Sequence, residues 1–227
     1  YLRRTYATTC SRDHREFDAN YEFDFNASRA LCICFKWQLM KIERLPLAGL
    51  IKLTPRQFAD DRGVFWETWR EGMLDDAEGN PLEFVQENLS ISKAGTLRGM
   101  HFQRAPHAQG KLVRAASGRI FDVAVDVRVD SETRGQWFGC ELSSQNACQL
   151  WIPAGFAHGF LALEDNCVVE YRCTSLYSPD SEGSILWDDP AVGIDWNAAS
   201  PGLPAVGPLL SEKDAVAPLL ADIEWPF

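Results

Sequence analysis

Between Ile120 and Arg128 the chain alternates strictly: Phe121, Val123, Val125 and Val127 fall on one side of an extended backbone, Asp122, Asp126 and Arg128 on the other. A period of two cannot line one face of a helix, so this segment is expected to be a strand with one apolar and one polar side. Gly118 just ahead of it suits a turn. The pattern returns where Cys167, Val169, Tyr171 and Cys173 oppose Val168, Glu170 and Arg172, which places Tyr171 in mid-strand. From Met40 onward the chain is a succession of such short runs, rich in valine, isoleucine and aromatics and punctuated by glycine, proline, aspartate and asparagine. Many short strands on one core imply an all-β fold, a double-sheet jelly roll or barrel, with a few short helices. Trp69 and Met73 have i, i+4 spacing, but Gly72 between them weakens a helix there. Ser211 opens a more convincing short helix that Pro218 limits.

With 227 residues, 46% of them hydrophobic, the chain can bury one substantial core. Residues 1–39 differ from the rest, beginning at Tyr1 with scattered charge and no sustained period. They are expected to be an extension without function, ahead of a domain over 40–227. Cys10, His14, Cys32 and Cys34 offer zinc-ligand chemistry, but Cys-x-Cys is poor spacing for a structural site. No apolar run approaches the roughly 18 to 20 residues of a membrane span, and no secretory pattern opens the chain, so a cytoplasmic protein is expected. The seven cysteines, odd in number and irregularly spaced, suit free thiols in a reducing compartment. A net charge of −10 disfavours nucleic acid as a partner. A local cationic pocket for a small anionic ligand is still compatible with it, and Arg98, Lys111 and Arg114 are candidates.

Two motifs concentrate the chemistry. The first is Leu97-Arg98-Gly99-Met100-His101-Phe102-Gln103, followed by Gln109-Gly110-Lys111-Leu112-Val113-Arg114; the second is Leu150-Trp151-Ile152-Pro153-Ala154-Gly155-Phe156-Ala157-His158-Gly159-Phe160. Strand parity puts His101 and Gln103 on one face and Arg98 on the other, unless Gly99 introduces a bulge. Pro153-x-Gly155-x-x-His158 resembles the second signature of the cupin superfamily. Ordinary cupins bind metal through a His-x-His pair and a glutamate of their first motif together with that later histidine. Here His101 lacks such a pair, and His107 lies six residues on beside Pro106. The spacing therefore argues against a metal.

Together the motifs resemble the nucleotide-sugar epimerases that convert dTDP-4-dehydro-6-deoxy-glucose to dTDP-4-dehydrorhamnose, and the resemblance covers essentially all of residues 40–225. A ketone at C4 acidifies the hydrogens at C3 and C5. Inversion then needs a base, an acid on the opposite face and stabilisation of the enolate oxygen, with no cofactor. The histidine of Leu-Arg-Gly-x-His-x-Gln implies His101 as base, and the aspartate of Ser-Glu-Lys-Asp implies Asp214 as its partner. The tyrosine ahead of Lys/Arg in the late strand implies Tyr171 as acid. Substrate contacts implied by matching motif are Arg62, Phe65 and Glu67, then Gln86, Glu87 and Asn88, with Arg98, Gln103, Lys111, His158, Tyr177, Glu182 and Lys213. The family implies a homodimer in which a partner subunit contributes to each nucleotide site. Departures are small: Phe102 stands where tyrosine is common and Arg172 where lysine is common.

Each residue also has a plainer reading. His101 and Tyr171 could be ordinary strand residues, and His158 a hydrogen-bonding residue of the barrel wall. Tyr177 could be a loop residue, Phe65 and Trp66 core. Ser211-Glu212-Lys213-Asp214 reads as a capping box that merely satisfies a helix N-terminus. Two other functions remain open: an epimerase acting at C3 or C5 alone, and a cupin that binds a nucleotide sugar without turning it over.

Overall fold

A computed structural model describes residues 39–76, 79–198 and 207–223. The extension and its Cys10, His14, Cys32 and Cys34 lie outside the described residues. The strands in chain order are β1 (Met40–Arg44), β2 (Ile51–Pro55), β3 (Phe58–Asp60), β4 (Gly63–Phe65), β5 (Gln86–Ser92), β6 (Leu97–Gln103) and β7 (Lys111–Ser117). There follow β8 (Arg119–Asp126), β9 (Trp137–Ser143), β10 (Gln149–Ile152), β11 (Phe156–Ala162), β12 (Cys167–Cys173) and β13 (Glu182–Ser184). A single turn of α-helix, α1 (Glu212–Ala215), starts after Ser211.

These strands build the expected double-sheet jelly roll. One sheet runs β1-β2-β10-β7-β12-β5 and the other β13-β6-β11-β8-β9, while β3 and β4 form a separate hairpin. The main core lies between the sheets, where Val113, Ala115 and Val169 of the first meet Ile120, Ala124, Phe156 and Phe160 of the second.

Strand β8 departs from the simple apolar-in, polar-out expectation, because it is buried on both sides. Phe121, Val123 and Val125 do share a face, but it points away from the barrel and is roofed by Ile185, Trp196 and Leu220. The other face, with Ile120, Asp122 and Ala124, turns inward. The alternation was therefore right about the strand, whereas the direction of the apolar face was decided by the later segment that covers it.

The six-stranded sheet has its own cover. Met73, Leu74 and Leu82 pack with Trp69 and Phe84 on Leu53, Leu112 and Trp151. Trp69 and Met73 thus contribute to a core from irregular chain, and only a turn forms there, Met73 N–H bonding the Arg70 carbonyl at 3.1 Å. Cys140, Cys148, Cys167 and Cys173 are free thiols. Among the described residues no helix is long and apolar enough to cross a membrane.

Candidate active site

Pairing of β11 with β6 sets the site. His158 stands opposite His101 and Phe160 opposite Arg98, so three steps along β6 match two along β11. The extra residue is a bulge, and it resets strand parity. Leu97, Met100 and Phe102 face the outer core. Arg98 meanwhile reaches the opposing sheet, its Nε donating to Ser92 Oγ at 3.1 Å. Arg98 and His101 therefore share the inner face, as the bulge at Gly99 was expected to allow. Gly99 has φ +128°, and a Cβ there would sit 2.5 Å from the Gly159 Cα and 2.8 Å from the His158 carbonyl. No other residue fits this crossing.

Into the same space α1 delivers a carboxylate. His101 Nε2 is 2.6 Å from Asp214 Oδ1, with Asp214 itself only 5% exposed. The capping reading of this segment is also correct, but the cap is Ser211, whose hydroxyl accepts the Asp214 N–H at 3.1 Å. With the helix end satisfied by Ser211, the Asp214 side chain is available to the histidine. Burial pushes the Asp214 carboxyl up, but bonding and charge from His101, with help from Ser211 and the Gly99 N–H, outweigh it and hold it below the usual range. An ionised carboxylate only accepts, so Nε2 carries the proton and Nδ1 is the basic nitrogen.

Facing His101 from the other sheet are Lys111 of β7 and Tyr171 of β12, and all three line one cavity with Gln86, Asn88, Gln103, Tyr177 and Glu182. Burial lowers the Lys111 ammonium pKa, opposed by the charges of Cys173, Asp122 and Glu182. Burial likewise raises the Tyr171 phenol, with Cys173 adding and Arg98 opposing. A buried phenol that stays protonated is a proton donor, and a cation freed of water acts strongly on a nearby oxyanion. The rim is braced: Glu182 accepts from Tyr177 Oη at 3.0 Å and pairs with Lys213 Nζ at 2.5 Å. Gln86 Oε1 accepts the Tyr177 N–H at 2.8 Å, and Gln103 Oε1 the Ser178 N–H at 2.8 Å.

Not every residue singled out from the motifs meets this cavity. Arg62 and Phe65 sit on the exposed β3–β4 hairpin, Phe65 being 72% exposed and so not core, and Arg62 pairing with Asp60. Glu67 pairs with Arg70 and Glu87 with Arg172. Arg114, grouped in sequence with the cations near His101, is bonded instead to Glu170, because its position in β7 alternates with Lys111 and Val113. His107 does not join the other histidines; its Nδ1 is 2.9 Å from Ser181 Oγ. His158 borders the site, its Nε2 2.7 Å from Asp122 Oδ1. Sequence reasoning missed Gln109, a cavity residue lying inside the quoted motif, and the pairing of Asp122. Its signal was a carboxylate on the non-apolar side of β8.

Known proteins share both this sequence and this architecture. The family model for dTDP-4-dehydrorhamnose 3,5-epimerase matches residues 44–222. The Salmonella typhimurium dTDP-4-dehydrorhamnose 3,5-epimerase is 48% identical over 182 residues, covering 80% of this chain and 96% of that protein. Among solved structures, the dTDP-4-dehydrorhamnose 3,5-epimerase of Elizabethkingia anophelis superposes with a TM-score of 0.74 at 43% identity, over 81% of this chain and 97% of its own. The dTDP-6-deoxy-D-glucose-3,5-epimerase of Legionella pneumophila, in complex with dTDP-4-keto-L-rhamnose, gives 0.72 at 41%, over 82% and 95%. A jelly roll whose two sheets present a histidine–aspartate pair and a tyrosine to one cavity, with this breadth of similarity, leaves one assignment: the chain belongs to the dTDP-4-dehydrorhamnose 3,5-epimerase family.

Proposed function

We propose that this protein converts dTDP-4-dehydro-6-deoxy-α-D-glucose to dTDP-4-dehydro-β-L-rhamnose with His101 as base, Asp214 as its orienting partner and Tyr171 as acid. The observation that carries the reading is the placement of His101 and Tyr171 on opposing sheets across one cavity. A sugar ring lying between them offers one face to each. His101 Nδ1 takes the proton from a carbon next to the C4 ketone, and the C–H electron pair becomes the enolate. Lys111 stabilises the enolate oxygen, and the Asp214 carboxylate stabilises the imidazolium. Tyr171 Oη then protonates the carbon from the far side and inverts it. The tyrosinate is reprotonated and His101 deprotonated through solvent before the second carbon reacts.

Gln86, Asn88, Gln103, His158, Tyr177, Glu182 and Lys213 are assigned to holding substrate, with Arg98 beside Tyr171. Arg62, Phe65, Glu67 and Glu87 lie apart from this cavity within one chain. We assign them to the nucleotide end of a site completed by a second copy, in a homodimer. The exposed hairpin of Phe58, Val64 and Phe65, and the exposed Leu89 and Ile91 of β5, supply apolar surface for that contact. The catalytic domain is placed from about residue 40 onward, and the enzyme in the cytoplasm.

The test is proton NMR of the substrate in deuterated water with purified protein. Exchange and inversion at both C3 and C5 are expected. Exchange at one carbon alone would establish a single-position epimerase, and tight binding without exchange a non-catalytic protein. In the same assay His101→Ala should abolish turnover with little change in dTDP affinity.

A further inference from the structure

Beside the His101–Asp214 pair the barrel holds a second one. His158 stands directly across the β6–β11 ladder from His101, and it bonds Asp122, its side chain being 8% exposed and that of Asp122 fully buried. The second carboxylate oxygen, Asp122 Oδ2, has no hydrogen-bond partner among the described residues. A carboxylate sealed inside a barrel with half its accepting capacity unused costs stability, and such an expense is ordinarily met at sites of function.

The groups around the pair come from every neighbouring element. Lys111 projects from β7, His101 from β6, Tyr171 and Cys173 from β12, Cys140 from β9, Glu182 from β13 and Asp214 from α1. Lys111 is the cation of this set that burial works hardest to neutralise, and after Cys173 its principal support is Asp122, ahead of Glu182. Its Nζ has little else, only the His101 carbonyl at 3.5 Å. Asp122 also acts on Cys140, which burial, with Asp122 adding, pushes up to about 12. Asp122 thus touches His158 directly and reaches Lys111 through its charge.

We infer that Asp122 is a positioning residue for the epimerisation: it holds His158 with Nε2 protonated and supplies the charge that keeps Lys111 an ammonium in a site emptied of water. This rests on the epimerase reading above. The Asp122 carboxylate accepts from Nε2–H, so His158 turns its unprotonated Nδ1 away from Asp122, and the ring is fixed in one tautomer. Lys111 in turn must carry its proton when the enolate forms, because an uncharged amine offers the oxyanion far less.

The decisive variant is Asp122→Asn, which keeps the shape and an oxygen for His158 Nε2–H but removes the charge. The pH dependence of kcat is measured for it, for wild type and for His158→Asn, each first checked for folding by thermal melting. In Asp122→Asn the alkaline limb should move to lower pH by about one unit, the scale of one lost opposite charge, while KM changes less than about threefold. In His158→Asn the Asp122 charge remains, so the limb should stay in place while kcat falls by more than about tenfold. An Asp122→Asn profile superimposable on wild type overturns the inference. Should that variant fail to fold, His158→Asn decides alone: a lowered kcat with an unmoved limb supports the assignment, and a displaced limb or an unchanged kcat overturns it. Wild-type protein that exchanges neither C3 nor C5 would instead sink the underlying epimerase reading, so the two failures are distinguishable.

Discussion

Gly99→Ala tests the geometry on which the site depends. Two costs arise at this position. The φ of +128° is one that L side chains rarely adopt, worth about 1–3 kcal/mol. The new Cβ would also lie 2.5 Å from the Gly159 Cα and 2.8 Å from the His158 carbonyl, where carbon contacts relax near 3.5–4 Å. Both obstacles are backbone, so β6 and β11 must part by roughly 1 Å at the step that carries His101 and His158. Together the two terms should exceed about 3 kcal/mol, lowering Tm by roughly 6–12 °C for a domain of this size. A 1 Å displacement of the base should cost about a hundredfold in kcat. Gly63→Ala is the control, since Gly63 has a similar φ of +134° with nothing within 4 Å of its Cβ position. It carries the backbone cost alone and should lose less than half as much Tm. Calorimetry and steady-state kinetics on both variants decide it. A Gly99→Ala protein no less stable than Gly63→Ala, with turnover within about threefold of wild type, would refute the argument that this close crossing places the base.

Other expectations follow from single groups. Asp214→Asn should lower kcat by about 10²- to 10⁴-fold with dTDP affinity preserved in calorimetric titration, because the orienting charge on His101 is lost while the nucleotide contacts remain. Tyr171→Phe should still wash deuterium into the substrate from the His101 side but yield no inverted product, so NMR would separate exchange from epimerisation; net inversion at a wild-type rate would remove the acid assignment. At Asp126, burial raises the carboxyl, but bonds from Arg128, Ser131 and Thr133 bring it down to about 2 from 3.8. A depressed folded pKa gives stability that is present above the unfolded value and lost as pH falls through the folded one. Asp126 should therefore contribute about 2 kcal/mol at neutral pH, disappearing between roughly pH 5 and pH 2. Urea midpoints across that range, compared with those of Asp126→Asn, measure it, and parallel curves for the two proteins would contradict it.

Much of this molecule was legible in one dimension. Period-two runs at β8 and β12 identified strands because side-chain alternation is a local property of extended backbone, and the density of such runs specified a double sheet. The motif around His101 named the base, and the parity conflict at Arg98 pointed to the bulge at Gly99 before any coordinates. Asp214 was ambiguous for a physical reason: an aspartate three residues after a serine serves a helix end as readily as a distant histidine. Only the structure shows Ser211 taking the cap and leaving the carboxylate to His101, 113 residues away in the chain.

Other features were out of reach of sequence because they depend on what later segments cover. The apolar face of β8 points outward only because Ile185, Trp196 and Leu220 roof it, and Asp122 is buried for the same reason. The sequence by itself determined the strands, the turn chemistry and the reactive side chains, all set by neighbours within a few residues. Tertiary structure alone decided which sheet faces which, that Lys111 enters the cavity while Arg114 turns away to Glu170, and that His158 holds Asp122. Those outcomes are set by burial and charge pairing between segments far apart in the chain, and no local pattern encodes them.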